Sequence, residues 1–235
     1  VTWLFDRNFN TKCLKKLSMN TITELSLSIE VFECPDCWIT MTEDGANSFN
    51  LIPNFCRLKY LNLKHVEQVD NDFLKKLSKC CTELEYLNVG DCWRITNHGM
   101  TAVSELKNLT TLMMCSLYLV TDVVLRKFEF LKVLFCNNCD KFTEAGIIQF
   151  LQNAPYLEKI NLRGIKITKE VLDVAYNVAI SRGNEIPLKI IVSSESKSNW
   201  VQPSRYLPES FIIEVDDWEF NMDDSNLSYR IEFDD

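Results

Sequence analysis

The sequence predicts an α/β solenoid in which strand–turn–helix repeats of about 22–26 residues stack around one curved parallel sheet. Three observations predict it. The first is an apolar template met five times over: Leu58, Leu61, Leu63 and Val66; Leu84, Leu87, Val89 and Cys92; Leu109, Leu112, Met114 and Leu117; Leu131, Leu134, Cys136 and Cys139; and Leu157, Ile160, Leu162 and Ile165. The opening residues, 58, 84, 109, 131 and 157, are 26, 25, 22 and 26 positions apart, a self-similarity that marks stacked repeats. The second is a turn signal behind each of the last four templates: Ile95-Thr96-Asn97, Val120-Thr121-Asp122, Phe142-Thr143-Glu144 and Ile167-Thr168-Lys169. The third is apolar residues at helical spacing beyond the turns, as in Phe73-Leu74-Leu77, Met100-Val103-Leu106, Val124-Leu125-Phe128 and Ile147-Ile148-Leu151.

Within one unit the centre of the template is a short strand, because side chains on a strand change face at each step. Leu61 and Leu63 therefore point into the core while Tyr60, Asn62 and Lys64 point out. The apolar residue three places on sits where the chain leaves the strand. Thr is expected to cap the helix that follows, its hydroxyl accepting a backbone N–H of the first turn. One unit cannot bury both its elements alone, so neighbours must share a core.

Before the first full template, Ile22-x-x-Leu25-x-Leu27 reads as a further strand, preferred over a second register beginning at Ile29. Residues 1–19, with Thr11–Leu17, read as the end of an earlier helix. Val1 reads as a cut or processed start. Behind the fifth template, Lys169–Ser181 is a helix stopped at Arg182-Gly183-Asn184, and Ile186–Val192 is a last strand whose Pro187 suits a sheet edge. The composition then shifts. From 194 to 235 there are eleven Asp/Glu against three Lys/Arg, so this stretch holds the whole net charge of −8. The expected domains are therefore 1–193, the solenoid, and 194–235, an acidic C-terminal extension. In the extension, Phe211–Val215 and Tyr229–Phe233 have strand character and are expected to dock on the end of the array as a hairpin or short strands.

The spacing Leu84–Thr96 (L-x-x-L-x-V-x-x-C-x-x-I-T) and Leu131–Thr143 (L-x-x-L-x-C-x-x-C-x-x-F-T) resembles the cysteine-containing leucine-rich repeats of F-box/LRR proteins and their F-box-less relatives. The resemblance covers roughly residues 20–193. It implies a leucine-rich-repeat solenoid that binds protein, serving substrate recognition for an SCF-type ubiquitin ligase, with possible SCF components reached through an F-box. No F-box-like segment is legible in residues 1–19, so the F-box would lie off this chain. The alternative is a scaffold or regulatory interaction protein without ubiquitin chemistry. The shared motif is structural and assigns no functional residue.

Composition excludes several classes. The chain is ordinary in its 46% hydrophobic and 25% charged residues. No apolar run is long enough to span a bilayer and no signal peptide opens the sequence. The negative balance disfavours nucleic acid. Ten cysteines could mean disulfides in a secreted protein, but Cys92, Cys136 and Cys139 fall on inward template positions and Cys80-Cys81 close a helix. Reduced thiols in the cytoplasm or nucleus are the better reading. Two C-x-x-C pairs exist. Cys136–Cys139 is read as core, whereas Cys34–Cys37, outside the regular repeats, keeps a metal or redox role open. The two histidines, His65 and His98, read as turn residues, and no nucleophile–base–orienter set or phosphate loop is legible. Neither an enzyme nor a cofactor is expected.

The outward strand positions carry the functional expectation. Tyr86, Met113, Val133 and Phe135 should form one apolar and aromatic patch on the inner strand face, extended by Tyr60 and rimmed by Lys64, Lys159 and Arg163. Apolar patches with a polar rim mark protein contacts, and aromatics and Arg are common anchors. A competing possibility is that the acidic extension covers the patch, its carboxylates meeting the basic rim.

Overall fold

The computed structural model describes residues 2–4, 23–26, 50–183, 186–201 and 207–216. Among them nine strands form one sheet in sequence order, each parallel to the next: β1 (Thr2–Leu4), β2 (Glu24–Ser26), β3 (Tyr60–Asn62), β4 (Tyr86–Asn88), β5 (Thr111–Met113), β6 (Val133–Phe135), β7 (Lys159–Asn161), β8 (Leu188–Val192) and β9 (Phe211–Val215). Among the described residues four α-helices connect them on one side: α1 (Asn71–Cys80), α2 (Asn97–Val103), α3 (Glu144–Asn153) and α4 (Lys169–Ser181). A short helix α5 (Ser194–Ser198) follows β8. The register is unbroken: Leu25, Leu61, Leu87, Leu112, Leu134, Ile160 and Ile190 lie side by side, one from each strand from β2 to β8. From Leu61 onward these residues are fully buried, so each repeat contributes one rung to a common apolar column.

The turn behind each strand from β3 to β7 is a left-handed step. His65, Asp91, Ser116, Asn138 and Gly164 occupy equivalent places with φ of 61°, 60°, 56°, 58° and 75°. Asn, Asp and Gly tolerate that region best. Glycine suits Gly164 best, since a Cβ there would crowd Asn138 Oδ1 and stand 3.2 Å from the Asn138 backbone N. Sheet pairing persists into the turn, with His65 N–H donating to Gly90 O at 3.0 Å and Asn138 N–H to Arg163 O at 2.9 Å.

A second ladder runs along the helix starts. Thr96, Thr143 and Thr168 cap their helices as expected, and Asp70 does so for α1. The residue just after each cap reaches into the next repeat. Asn71 Oδ1 accepts from Thr96 N–H at 3.0 Å, Asn97 Oδ1 from Thr121 N–H at 2.8 Å, Asp122 Oδ2 from Thr143 N–H at 2.9 Å and Glu144 Oε1 from Thr168 N–H at 2.8 Å. Each helix start is thereby tied to its neighbour, satisfying donors that a helix leaves open.

Four expectations change. Thr2–Leu4 is a strand, not the end of a helix, so the sheet already runs at the start of the described chain. The helical stretch of the third repeat is a 3-10 helix, Asp122–Lys127, and Thr121 makes no side-chain cap there. That unit is the shortest, and a 3-10 helix covers more length per residue, about 2.0 Å against 1.5 Å. His98 lies in the first turn of α2 rather than in a loop. β8 is not the last strand, because β9 pairs with it along its whole length, and Pro187 precedes an interior strand. Phe211–Val215 docks on the end of the array as a short parallel strand, one of the two arrangements expected. Thr11–Leu17, the alternative register at Ile29, the Cys34–Cys37 pair and Tyr229–Phe233 lie outside the described residues.

Candidate protein-binding face

Among the described residues the helices lie on one face of the sheet, and the strands present their outward rows on the other. Three outward rows cross it. Tyr60, Tyr86, Thr111, Val133, Lys159 and Lys189 form the first; Asn62, Asn88, Met113, Phe135, Asn161 and Ile191 form the second. The sequence continues each strand into a third row: Lys64, Gly90, Cys115, Asn137, Arg163 and Ser193.

In the second row Asn has a structural task. Asn62 Oδ1 accepts from Lys64 N–H at 3.1 Å, Asn88 Oδ1 from Gly90 N–H at 3.0 Å and Asn161 Oδ1 from Arg163 N–H at 3.0 Å, each bond bracing the strand's exit. Two adjacent repeats give up that brace and place Met113 and Phe135 there instead. Around them runs a chain of contacts. The Tyr60 and Tyr86 rings stack with centroids 4.1 Å apart and planes 9° apart. Tyr86 Oη donates to Met113 Sδ at 2.9 Å. Lys159 Nζ stands 5.3 Å from the Phe135 centroid, a cation–π contact. Burial, with Tyr60 beside it, holds the Tyr86 hydroxyl protonated far above the usual phenol range. Burial, reinforced by Lys189, lowers the Lys159 ammonium below its ordinary value.

The structure therefore brings Tyr60, Tyr86, Met113, Phe135 and Lys159 into one strip. Val133 lies between Thr111 and Lys159 in the first row, and Lys64 stands half-buried at the β3 end. Phe135 is only 6% exposed, a floor under the strip rather than a projecting anchor, because strands about 4.8 Å apart leave little access between neighbouring rings. Arg163 pairs with Asp216 at 3.3 Å, and Lys189 with Glu214 at 2.6 Å. Lys189, Ile191 and these two carboxylates were missed from the sequence. The alternation Leu188-Lys189-Ile190-Ile191 would have revealed the first two as a sixth outward set.

The cysteines sort by position. Cys92 Sγ donates to Leu63 O at 3.2 Å and Cys139 Sγ to Met114 O at 3.1 Å, each satisfying a carbonyl of the preceding repeat. These thiols are more than small apolar fillers. Burial pushes both up to about 12. Among the described residues no group of His, Cys, Asp and Glu is arranged to hold a metal, and no helix is long and apolar enough to cross a membrane.

No family model matches the chain, and no curated protein matches it. Solved structures do. A chain of the crystal structure of the Rad7 and Elc1 complex in yeast aligns over 70% of this chain and 50% of its own length, at 17% identity and a TM-score of 0.50. The fold is a leucine-rich-repeat solenoid. The present chain spans about half of that solved chain. The leucine-rich repeat-containing protein LegL7 from Legionella pneumophila aligns over 82% of this chain and 72% of its own, at 11% identity and a TM-score of 0.44.

Proposed function

We propose that this chain is a protein-binding leucine-rich-repeat module whose open sheet face holds a segment of another protein. The observation that carries this reading is the replacement of the bracing Asn by Met113 and Phe135 in two adjacent repeats. A strand-bracing hydrogen bond is given up for apolar surface beside an aromatic stack and a cation, and anchors of that kind dominate protein interfaces. The residues we assign to the contact are Tyr60, Lys64, Tyr86, Met113, Val133, Phe135, Lys159 and Arg163. In its finer form the reading is substrate recognition for an SCF-type ubiquitin ligase: this chain supplies specificity, and the ligase components supply the chemistry. A cytoplasmic or nuclear setting follows from thiols kept reduced.

The test uses the double substitution Tyr86→Ala, Met113→Asp in affinity capture from cell extract beside the wild type. Proteins held by the wild type should be lost, with far-UV circular dichroism unchanged. Identical captured sets from two folded proteins refute the face. Co-capture of a ubiquitin-ligase adaptor supports the ligase form, and its absence from a set that otherwise depends on the face favours the scaffold alternative.

A further inference from the structure

On β3 to β8 and their exits the three outward rows hold Lys64, Lys159, Arg163 and Lys189 and not one carboxylate, although the chain carries a net charge of −8. Acid reaches this face from β9 and the residue after it. Glu214 sits on Lys189 and Asp216 on Arg163, and the second Asp216 oxygen is buried with no hydrogen-bond partner among the described residues. Two carboxylates of the C-terminal stretch thus already sit on this face, at the basic end of the strip. The next nineteen residues, 217–235, which lie outside the described residues, contain seven Asp/Glu against Arg230 alone, together with Trp218, Phe220, Tyr229 and Phe233.

We infer that residues 217–235 are the face's own occupant: an acidic, aromatic segment that continues from Asp216 across Lys159 and Phe135 toward the Tyr60–Tyr86 stack. Reach is ample. Six strand spacings of about 4.8 Å separate β9 from β3, about 29 Å, whereas nineteen extended residues span up to about 65 Å. Tethering gives the segment a millimolar-range effective concentration that a free partner must exceed. No carboxylate stands in the three rows between β8 and β3, so the complementarity that Glu214 and Asp216 begin can continue to Lys159 and Lys64, ending short of Glu24, which is in register with Tyr60. The regulatory meaning rests on the partner-binding reading above: the segment is a competitor that a partner has to displace.

A zero-length carbodiimide cross-link on the full 235-residue chain tests this, with products mapped by mass spectrometry. The Glu214–Lys189 pair serves as the internal positive control. Carboxylates of 217–235 should couple to Lys64 or Lys159, with a yield that falls about tenfold when salt screens the charges. A mixture of isotopically heavy and light chains should give these links within single copies. Links only to helix-side lysines such as Lys75, Lys76 and Lys79, links only between heavy and light copies, or no links beside a working control would each overturn the proposal. Its failure is separable from that of the binding reading. Intramolecular links together with a capture set insensitive to Tyr86→Ala, Met113→Asp sink the partner and leave the occupant, whereas the opposite pair of results does the reverse.

Discussion

Replacing Asn71 by Ala should weaken the solenoid at a single seam between repeats. Asn71 Oδ1 accepts from Thr96 N–H at 3.0 Å, from Gly99 N–H at 3.0 Å and from Thr96 Oγ1 at 3.3 Å. Two of the three donors are backbone groups at the start of α2 with no turn before them to bond. Net contributions of about 1 kcal/mol for each backbone bond and less for the hydroxyl give about 2–3 kcal/mol. Ala regains about 0.5 kcal/mol of helix propensity at the first position of α1, so the expected loss is about 2 kcal/mol. Asn71→Asp keeps the acceptor, as Asp122 does naturally one seam further on, and should stay within about 0.5 kcal/mol. Gly99→Ala attacks the same bond sterically, since its Cβ would stand 2.7 Å from Asn71 Oδ1 and 3.0 Å from Leu74 Cδ1. The assay is urea unfolding followed by circular dichroism, paired with hydrogen exchange at the amides of Thr96 and Gly99. An Ala variant as stable as wild type, or an Asp variant as weak as Ala, would refute the view that one accepting oxygen ties the two repeats.

The other expectations bear on the core, the thiols and pH. Leu134 is fully buried between Leu112 and Ile160, and Leu134→Ala should cost about 2–5 kcal/mol in the same unfolding assay; a loss well under 1 kcal/mol would contradict its place in the column. Alkylation of the native protein, mapped by mass spectrometry, should modify the exposed Cys56 and Cys80 and leave Cys92 and Cys139 untouched until denaturant is added. Native labelling of Cys139 at the rate of Cys56 would overturn the role given to its thiol. Burial lowers the His65 imidazole below its ordinary 6.5, Asp91 opposing and Lys64 assisting, so the unfolded chain takes up a proton before the folded one does. Stability from this group is present above about pH 6.5 and is lost as pH falls below it. His65→Asn, which suits the left-handed backbone as Asn138 does, should flatten the melting temperature between pH 7 and 5, and an unchanged slope counts against the assignment.

How much of this was legible depends on whether a residue's partner lies at a fixed offset in sequence. Leu61, Leu87, Leu112, Leu134 and Ile160 were read as one column because the repeat itself is the contact rule: a parallel register advances by one whole unit. The caps at Thr96, Thr143 and Thr168 followed for the same reason. Thr121 failed because its unit is too short for an α-helix, a constraint that lies in the distance to Leu131 and not in the residue itself. The tie from Asn71, Asn97, Asp122 and Glu144 into the next repeat was invisible to single-unit reading, because three kinds of side chain perform one task and their partner lies in the next unit. Gly99 and Gly146 are its sequence trace. Each stands three residues after a capping Thr, where a Cβ would crowd the incoming side chain, at 2.7 Å from Asn71 Oδ1 and 2.0 Å from Asp122 Oδ2.

The proposed binding face was legible as rows and illegible as surface. Strand alternation put Tyr86, Met113, Val133 and Phe135 on one side, but exposure there depends on what the flanking strands carry. Phe135 stands in register between Met113 and Asn161 with Lys159 over its ring, and only 6% of it is exposed. Tyr86 is likewise committed to Tyr60 and Met113. A partner would therefore meet an ordered aromatic strip with little rotamer freedom left to lose, which lowers the cost of binding. The same order sharpens the functional test. Since the Tyr86 hydroxyl is bonded to Met113, Tyr86→Phe removes that bond while keeping the stacked ring. It should retain capture where Tyr86→Ala loses it, and equal loss from both would move the contact from the ring to the hydroxyl.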